Sequence, residues 1–208
     1  MVSPDAEGAQ AASAREAEHR ARNALQLISS LILLQGRHSP DTAAGPAMAS
    51  LLTRVAAVSA AHRRTVRVEN REQVDVAALI RDIVGDLAKL AGRDGVMIDL
   101  SLEPILAPGP LAPPLALWVN ETVGNALDHA FPDGRTGRVR VLLRQDAVGL
   151  ELCVEDDGAG RSSSTSGFGL TVVRLMVQQI RGQMDIMDLH PGLRVSVTVP
   201  LSETKSGR

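Results

Sequence analysis

Aromatic side chains are nearly missing from this 208-residue chain: Trp118, Phe131 and Phe168 are its only rings besides histidine, and there is no tyrosine. A single-stranded nucleic acid binder stacks bases on exposed aromatic rings, and so sparse a set cannot supply that platform. An excess of one charge is missing too, with 22 Lys and Arg against 24 Asp and Glu. Neither a basic surface nor an acidic tail is implied, so no nucleic-acid partner is expected. Cys153 is the only cysteine, which rules out a disulfide or a thiolate metal site within one chain. Its setting, Leu150-Glu151-Leu152-Cys153-Val154, marks it as a small core residue. No apolar run approaches the roughly 20 residues that cross a bilayer, and Met1-Val2-Ser3-Pro4-Asp5 has none of the charged and apolar regions of a signal peptide. The expectation is a cytoplasmic chain with no membrane partner. Nothing of domain size precedes residue 12, so a sensor is expected in a separate partner protein.

The chain is long enough for two small domains with a core in each. Residues 1–11 are rich in Ala, Gly and Ser and are expected to be loose. From about 12 to 36, Leu25, Ile28, Leu31 and Ile32 recur at helical spacing, and Gly36 supplies a stop. His38-Ser39-Pro40-Asp41-Thr42 is a turn, and a second helix is expected over about 45–67 with Leu51, Leu52, Val55 and Val58 as its stripe. Two helices joined by a short turn make an antiparallel hairpin, here residues 12–68, that leaves an apolar face uncovered. Pairing two hairpins as a four-helix bundle would bury it, which predicts a homodimer; the alternative is a hairpin folded back on its own C-terminal domain.

A second domain is expected over 74–201, followed by a loose tail at 202–208. Leu79, Ile83, Leu87 and Leu90 mark a helix over 76–91, and Val96 to Leu102 alternates as a strand. A proline-rich connection leads into a helix over about 115–130. Strands at 138–144 and 149–155 flank a tight turn, a Gly/Ser loop at 157–167 opens a helix over 168–181, and strands at about 183–189 and 193–199 close the domain. The fold class is therefore α+β: a helical hairpin, then helices grouped on a mainly antiparallel sheet in a two-layer sandwich.

Four short constellations carry chemistry. In the first helix Glu16, His19 and Asn23 share one face. A carboxylate that accepts the ring N–H leaves the other imidazole nitrogen free to attack, so His19 is a candidate nucleophile. In the 115–130 helix, Glu121 and Asn125 lie four residues apart on one face. A carboxamide oxygen is a neutral hard ligand for Mg²⁺, which keeps several waters and bridges to phosphates. Asn125 is the candidate ligand, and Glu121 would orient a metal-bound water. At the end of a strand stands Glu155-Asp156-Asp157-Gly158-Ala159-Gly160. A fixed carboxylate there, Asp156, could accept from the exocyclic amine of adenine while the glycines admit the base. Last, Gly167-Phe168-Gly169 precedes a helix, where backbone N–H groups and the helix dipole attract an anion.

In order and spacing, the downstream three resemble the N, G1 and G2 boxes of the GHKL ATPase superfamily, whose Bergerat fold gyrase and histidine kinases share. The upstream Glu16-x-x-His19-Arg20-x-x-Asn23, followed by Leu25-Gln26-Leu27-Ile28, resembles the phosphoacceptor box of bacterial sensor histidine kinases of the H-R-x-x-N group, related to the HWE kinases. Asn125-Ala126-Leu127-Asp128-His129-Ala130-Phe131-Pro132 is similar to the same group. The resemblance implies that His19 takes the γ-phosphoryl group of ATP with Mg²⁺ and passes it to an aspartate of a response-regulator receiver domain. It implies that Glu16 orients or deprotonates His19, that Asn125 binds Mg²⁺ with help from Glu121, and that Asp156 selects adenine. Gly158, Gly160, Gly167 and Gly169 would shape the nucleotide pocket and its lid.

Three departures stand out. Asp128 occupies a position where the family commonly has lysine, the lid between Gly160 and Gly167 has only six residues, and Val154 stands near the place of a G1-box tryptophan. The first two open an alternative: a histidine phosphotransfer protein whose ATP domain is degenerate and which relays phosphate between receiver domains.

Overall fold

The computed structural model describes residues 44–68, 71–160 and 168–201. The chain divides into two compact units, Met1–Leu51 and Leu52–Arg208. The described part of the first is the opening of helix α1, Ala44–Arg64; the first predicted helix, with His19, lies outside the described residues.

Within the second unit α1 is followed by a hairpin, β1 (Thr65–Val68) and β2 (Arg71–Asp75), then helix α2 (Val76–Ala91). The ends of α2 are set by local chemistry. The Asp75 carboxylate accepts the Ala78 N–H at 2.9 Å, and Gly92 closes the helix in the left-handed region at φ 56° with its N–H on the Ala88 carbonyl. The stripe Leu79, Ile80, Ile83, Val84 and Leu87 is buried, whereas Leu90, expected on the same face, is exposed. Strand β3 (Val96–Leu102), the short β4 (Leu106–Pro108) and helix α3 (Ala112–His129) come next. Pro113 and Pro114 start α3 earlier than the sequence pattern suggested, because proline's missing N–H costs nothing in a first helical turn. β5 (Gly137–Gln145), β6 (Leu150–Asp156), α4 (Phe168–Gln179), β7 (Gln183–Asp188) and β8 (Leu193–Val199) complete the unit.

The main sheet has the order β3-β5-β6-β8-β7, with β3 parallel to β5 and every other pair antiparallel. A second sheet, β1-β2-β4, was not expected: the second helix, expected to run to about residue 67, ends at Arg64 and the chain enters β1 at Thr65, while the proline-rich connection supplies β4. Alternation along the central strands builds the two layers. Val139, Val141, Leu143, Leu152, Val154, Val197 and Val199 are buried in the core, while Arg144 pairs with Glu151 and Arg194 with Glu155 on the outer side. Pairs so exposed are each worth about 0–1 kcal/mol; the core carries the stability. Helix α3 packs between α2 and α4 and lies over β5 and β6. It is buried over nearly its whole length, with Trp118 and the following Phe131 fully enclosed.

The buried side of α1 differs from the predicted stripe. Val58 is buried, Leu51 and Val55 are half-buried and Leu52 is 62% exposed. Ala57, Ala60 and Ala61 join the hydrophobic core of the second unit. The C-terminal half of α1 is thus packed on the chain's own sandwich domain.

Cys153 lies on β6, 7% exposed, and burial pushes its thiol up to about 12. Because the thiolate is the nucleophile, only about one thiol in 10⁴ is reactive at pH 8. Iodoacetamide at that pH is expected to leave the native chain unlabelled and to label it promptly in denaturing urea. Mass spectrometry reads the difference.

Candidate functional site

Helix α3 presents the first site residues. Asn125 is half-buried and makes no side-chain hydrogen bond among the described residues, so its carboxamide is available to a ligand. Asp128 and His129, one turn on, are exposed. Glu121, one turn before, is 7% exposed and already engaged. Arg54 of α1 donates from Nε to Oε1 and from Nη2 to Oε2, both at 2.8 Å, and the Asn120 amide donates to Oε1 at 3.0 Å. The same amide lies 3.4 Å from the Thr53 hydroxyl. Glu121 is therefore a charge-neutralised, hydrogen-bonded carboxylate rather than a free base.

The second part of the site is the turn after β6. Asp156 is 8% exposed, and its Oδ1 accepts the Gly158 N–H at 2.9 Å. Burial holds its carboxyl above the usual range, opposed by the backbone N–H groups of Gly158 and Leu193. Asp157 Oδ1 accepts the Arg138 N–H at 2.7 Å, which pins the turn to β5. The turn is also fastened to the end of α3, where the Ala159 N–H donates to the Ala130 carbonyl at 2.8 Å. A Cβ on Gly158 would strike that carbonyl, so this glycine serves backbone packing against α3, a role not anticipated in reading it as room for a base. Gly160 has φ 77°, the left-handed conformation that side chains disfavour.

Gly169 falls in the first turn of α4, the helix packed against α3. Gly167, and His19 with Glu16 and Asn23, lie outside the described residues. The structure thus brings the turn bearing Asp156, Gly158 and Gly160 to the C-terminal end of the helix bearing Asn125.

Three contributors escaped the sequence reading. Arg54 is one. Gly192 is another: its α-carbon abuts the Asp156 backbone so closely that any Cβ would collide with the carbonyl. Arg93 is the third, donating to the carbonyls of Phe131 at 2.7 Å and Asp128 at 3.4 Å, at the negative end of α3. A charged residue among Ala57, Val58 and Ala61 was the one visible hint for Arg54.

Among the described residues no three His, Cys, Asp or Glu side chains gather as a metal cage. A site offering one free carboxamide suits Mg²⁺ held largely by waters and phosphate oxygens, so the donors present fit that ion. The buried acceptor Asp156 at a strand end suits a donor-bearing base.

Two stability measurements test this geometry. The fold binds a proton at Asp156 more readily than the unfolded chain does. Stability is therefore lost as pH rises from the unfolded value near 3.8 through the raised folded value, and stays lower above it. Asp156→Asn removes that cost while keeping an acceptor for Gly158. Its Tm is expected to equal or exceed that of the wild type at pH 7, with the margin shrinking as pH falls through that window. Gly158→Ala is expected to lose about 1–3 kcal/mol, or several degrees in Tm, read by thermal denaturation.

A family model described as histidine kinase matches residues 16–91, and one described as histidine kinase-, DNA gyrase B- and HSP90-like ATPase matches residues 112–203. The chain is 27% identical over 203 residues to the blue-light-activated histidine kinase 2 of Erythrobacter litoralis, covering 92% of this chain and 58% of that protein. It is 28% identical over 199 residues to the sensor histidine kinase PdtaS of Mycobacterium tuberculosis, covering 91% of this chain and 40% of that one. The chain thus spans between 40% and 58% of the length of these relatives. A solved structure of an Erythrobacter litoralis blue-light-activated histidine kinase superposes with a TM-score of 0.70 at 25% identity, over 94% of this chain and 65% of that one. With both models in order along the chain and the sandwich beneath the second, the chain belongs to the histidine kinases of the GHKL ATPase superfamily.

Proposed function

We propose that this chain autophosphorylates His19 from ATP and Mg²⁺ and passes the phosphoryl group to an aspartate of a response-regulator receiver domain. The observation that carries this reading is one chain holding a matched histidine kinase segment around His19 and a sandwich domain with a free carboxamide at Asn125 and a buried acceptor at Asp156.

Catalysis of phosphoryl transfer is mostly positioning and charge neutralisation. ATP supplies the phosphoryl group, and Mg²⁺ neutralises charge on the phosphates. The chain's own part is to present an imidazole nitrogen, hold the metal and recognise the base. A lone pair on His19 forms the new P–N bond as the bond from the γ-phosphorus to the bridging oxygen breaks, and the electrons leave with ADP. Glu16 holds the ring so that the attacking nitrogen is unprotonated. Asn125 is the protein ligand of Mg²⁺, and Asp156 accepts from the adenine amine. Gly158 and Gly160 hold the turn around the base, with Gly167 and Gly169 at the phosphates. His19 then gives up the phosphoryl group to the receiver carboxylate by the same exchange of bonds. The exposed Met48 and Leu52 on α1 leave an apolar side on which a second copy can pair, consistent with a homodimer. No described helix is long and apolar enough to cross a membrane, which fits a cytoplasmic setting.

Purified chain incubated with γ-labelled ATP and Mg²⁺ is expected to acquire acid-labile label. His19→Ala should abolish it, and Asn125→Ala should weaken Mg²⁺-dependent labelling by about 10- to 100-fold. Asp156→Asn, which exchanges a charged acceptor for a neutral one, should weaken nucleotide binding by about tenfold. An unlabelled wild type that instead takes label at His19 from a phosphorylated receiver domain would turn the assignment to a phosphotransfer protein.

A further inference from the structure

Glu121 is a carboxylate buried with the whole turn of α3 that carries it. It lies four residues before Asn125, on the face of α3 that also carries the exposed Asp128 and His129. Those two are exposed, whereas Glu121 is 7% exposed and needs partners inside the fold. Its partner comes from α1: Arg54, 4% exposed at its side chain, holds both oxygens in a parallel fork, and the neighbouring Thr53 meets Asn120. The two ends of the fork are 67 positions apart in the chain.

A buried ion pair is a poor device for stability, since desolvating both charges cancels most of their attraction; its best-attested use is to fix register. What this pair fixes is one carboxylate. An ionised carboxylate has about four acceptor sites. Arg54 takes one on each oxygen and Asn120 takes the second on Oε1, which leaves about one on Oε2. A carboxylate so held has a single direction in which to accept a further hydrogen bond.

We propose that Arg54 is a positioning residue for the magnesium–nucleotide site: it fixes Glu121 one helical turn from Asn125 with one acceptor site open to a metal-bound water. The ATPase segment matched at 112–203 is then incomplete alone, because α1, upstream of that segment, supplies the group that orients its carboxylate. The compact-unit boundary between Leu51 and Leu52 agrees, since it groups Arg54 with the sandwich. This inference rests on the proposed Mg²⁺ and ATP binding, so its test reads binding rather than phosphorylation.

The full chain is titrated calorimetrically with a non-hydrolysable ATP analogue, with and without Mg²⁺, as wild type, Arg54→Gln, Arg54→Lys, Glu121→Gln and the double Arg54→Gln/Glu121→Gln. Arg54→Gln is expected to raise the Mg²⁺ concentration for half-maximal binding about tenfold, with metal-free affinity changed less than twofold. Arg54→Lys, which keeps the charge and loses the fork, should fall between. Glu121→Gln should match Arg54→Gln, and the double should be no worse than either, because both act through one carboxylate. The double variant leaves no unpaired buried charge. It is expected to recover the Tm lost in Arg54→Gln while keeping the raised Mg²⁺ requirement, an outcome that a merely structural pair would not give. An unchanged Mg²⁺ requirement in Arg54→Gln, an equal fall in metal-free and metal-loaded binding, or a double variant that regains the wild-type Mg²⁺ requirement would overturn the proposal. A wild type that binds the analogue without any response to Mg²⁺ would also overturn it, and would remove Mg²⁺ from the proposed function. A chain that does not autophosphorylate, but whose Mg²⁺ requirement for binding rises in the Arg54 and Glu121 variants as above, would support the positioning role while the kinase reading failed.

Discussion

The domain turns on the meeting of the Ala130 carbonyl with the turn after β6. That carbonyl accepts the Ala159 N–H, and Gly158 packs directly against it. Because α3 runs buried between α2 and α4, its C-terminal end has little freedom. Fastening the Asp156 turn there places the two halves of the proposed nucleotide site in one frame. Packing of this density transmits displacement rather than absorbing it. A small shift of α3 must therefore carry Asn125 and the Asp156 turn together, which is what a site that grips one ligand at base and phosphate requires.

Both buried carboxylates in this frame are unfavourable for stability considered alone. Asp156 is held above its usual pKa by burial, and Glu121 is kept in a nearly solvent-free ion pair with Arg54. An apolar residue at either position would pack at lower cost. Their environments nonetheless differ in a useful way. Asp156 gains two backbone donors and no cation, so it stays a strong acceptor beside a base. Glu121 has its charge cancelled and its acceptor sites mostly filled, which suits directing a water better than taking a proton. In the proposed site one carboxylate would recognise the base and the other would orient a water, a division set by what surrounds each.

How much of this was legible depends on the sequence separation of the interactions. Helix α2 was readable from its apolar stripe, Leu79, Ile83 and Leu87, although Leu90 is exposed; the structure adds the equally local groups that set its ends, the Asp75 cap and Gly92. β3 and the hairpin β5–β6 followed from alternation and a turn, where the Asp146 carboxylate accepts the Val148 and Gly149 N–H groups. The second sheet was missed because β1 and β2 are short and interrupted by charge, and because β4 ends in Pro108, tolerated only because β4 is an edge strand. Asn125 and Asp156 could be nominated from spacing and chemistry. Arg54 and Gly192 could not, since each owes its importance to a partner across the fold. The expected second-helix stripe was displaced for the same reason: no helical period reports that Ala57, Ala60 and Ala61 will find the sandwich core.

Asp128 is the departure that bears most on nucleotide binding. It brings an anion where the family commonly has a cation, at the end of a helix whose dipole is already negative. The structure places a positive group at the same helix end by another route. Arg93, from the loop after α2, donates to the carbonyls of Asp128 and Phe131, so its guanidinium caps the last turn of α3 and offsets the dipole there. The Asp128 side chain is exposed, where water and salt screen its charge within about 8–10 Å. Local repulsion toward phosphate is therefore reduced from both sides, by a fixed cation bound to the helix end and by solvent around the carboxylate. An exposed anion so compensated is compatible with a working nucleotide site, whereas the same carboxylate buried beside Asn125 would not be.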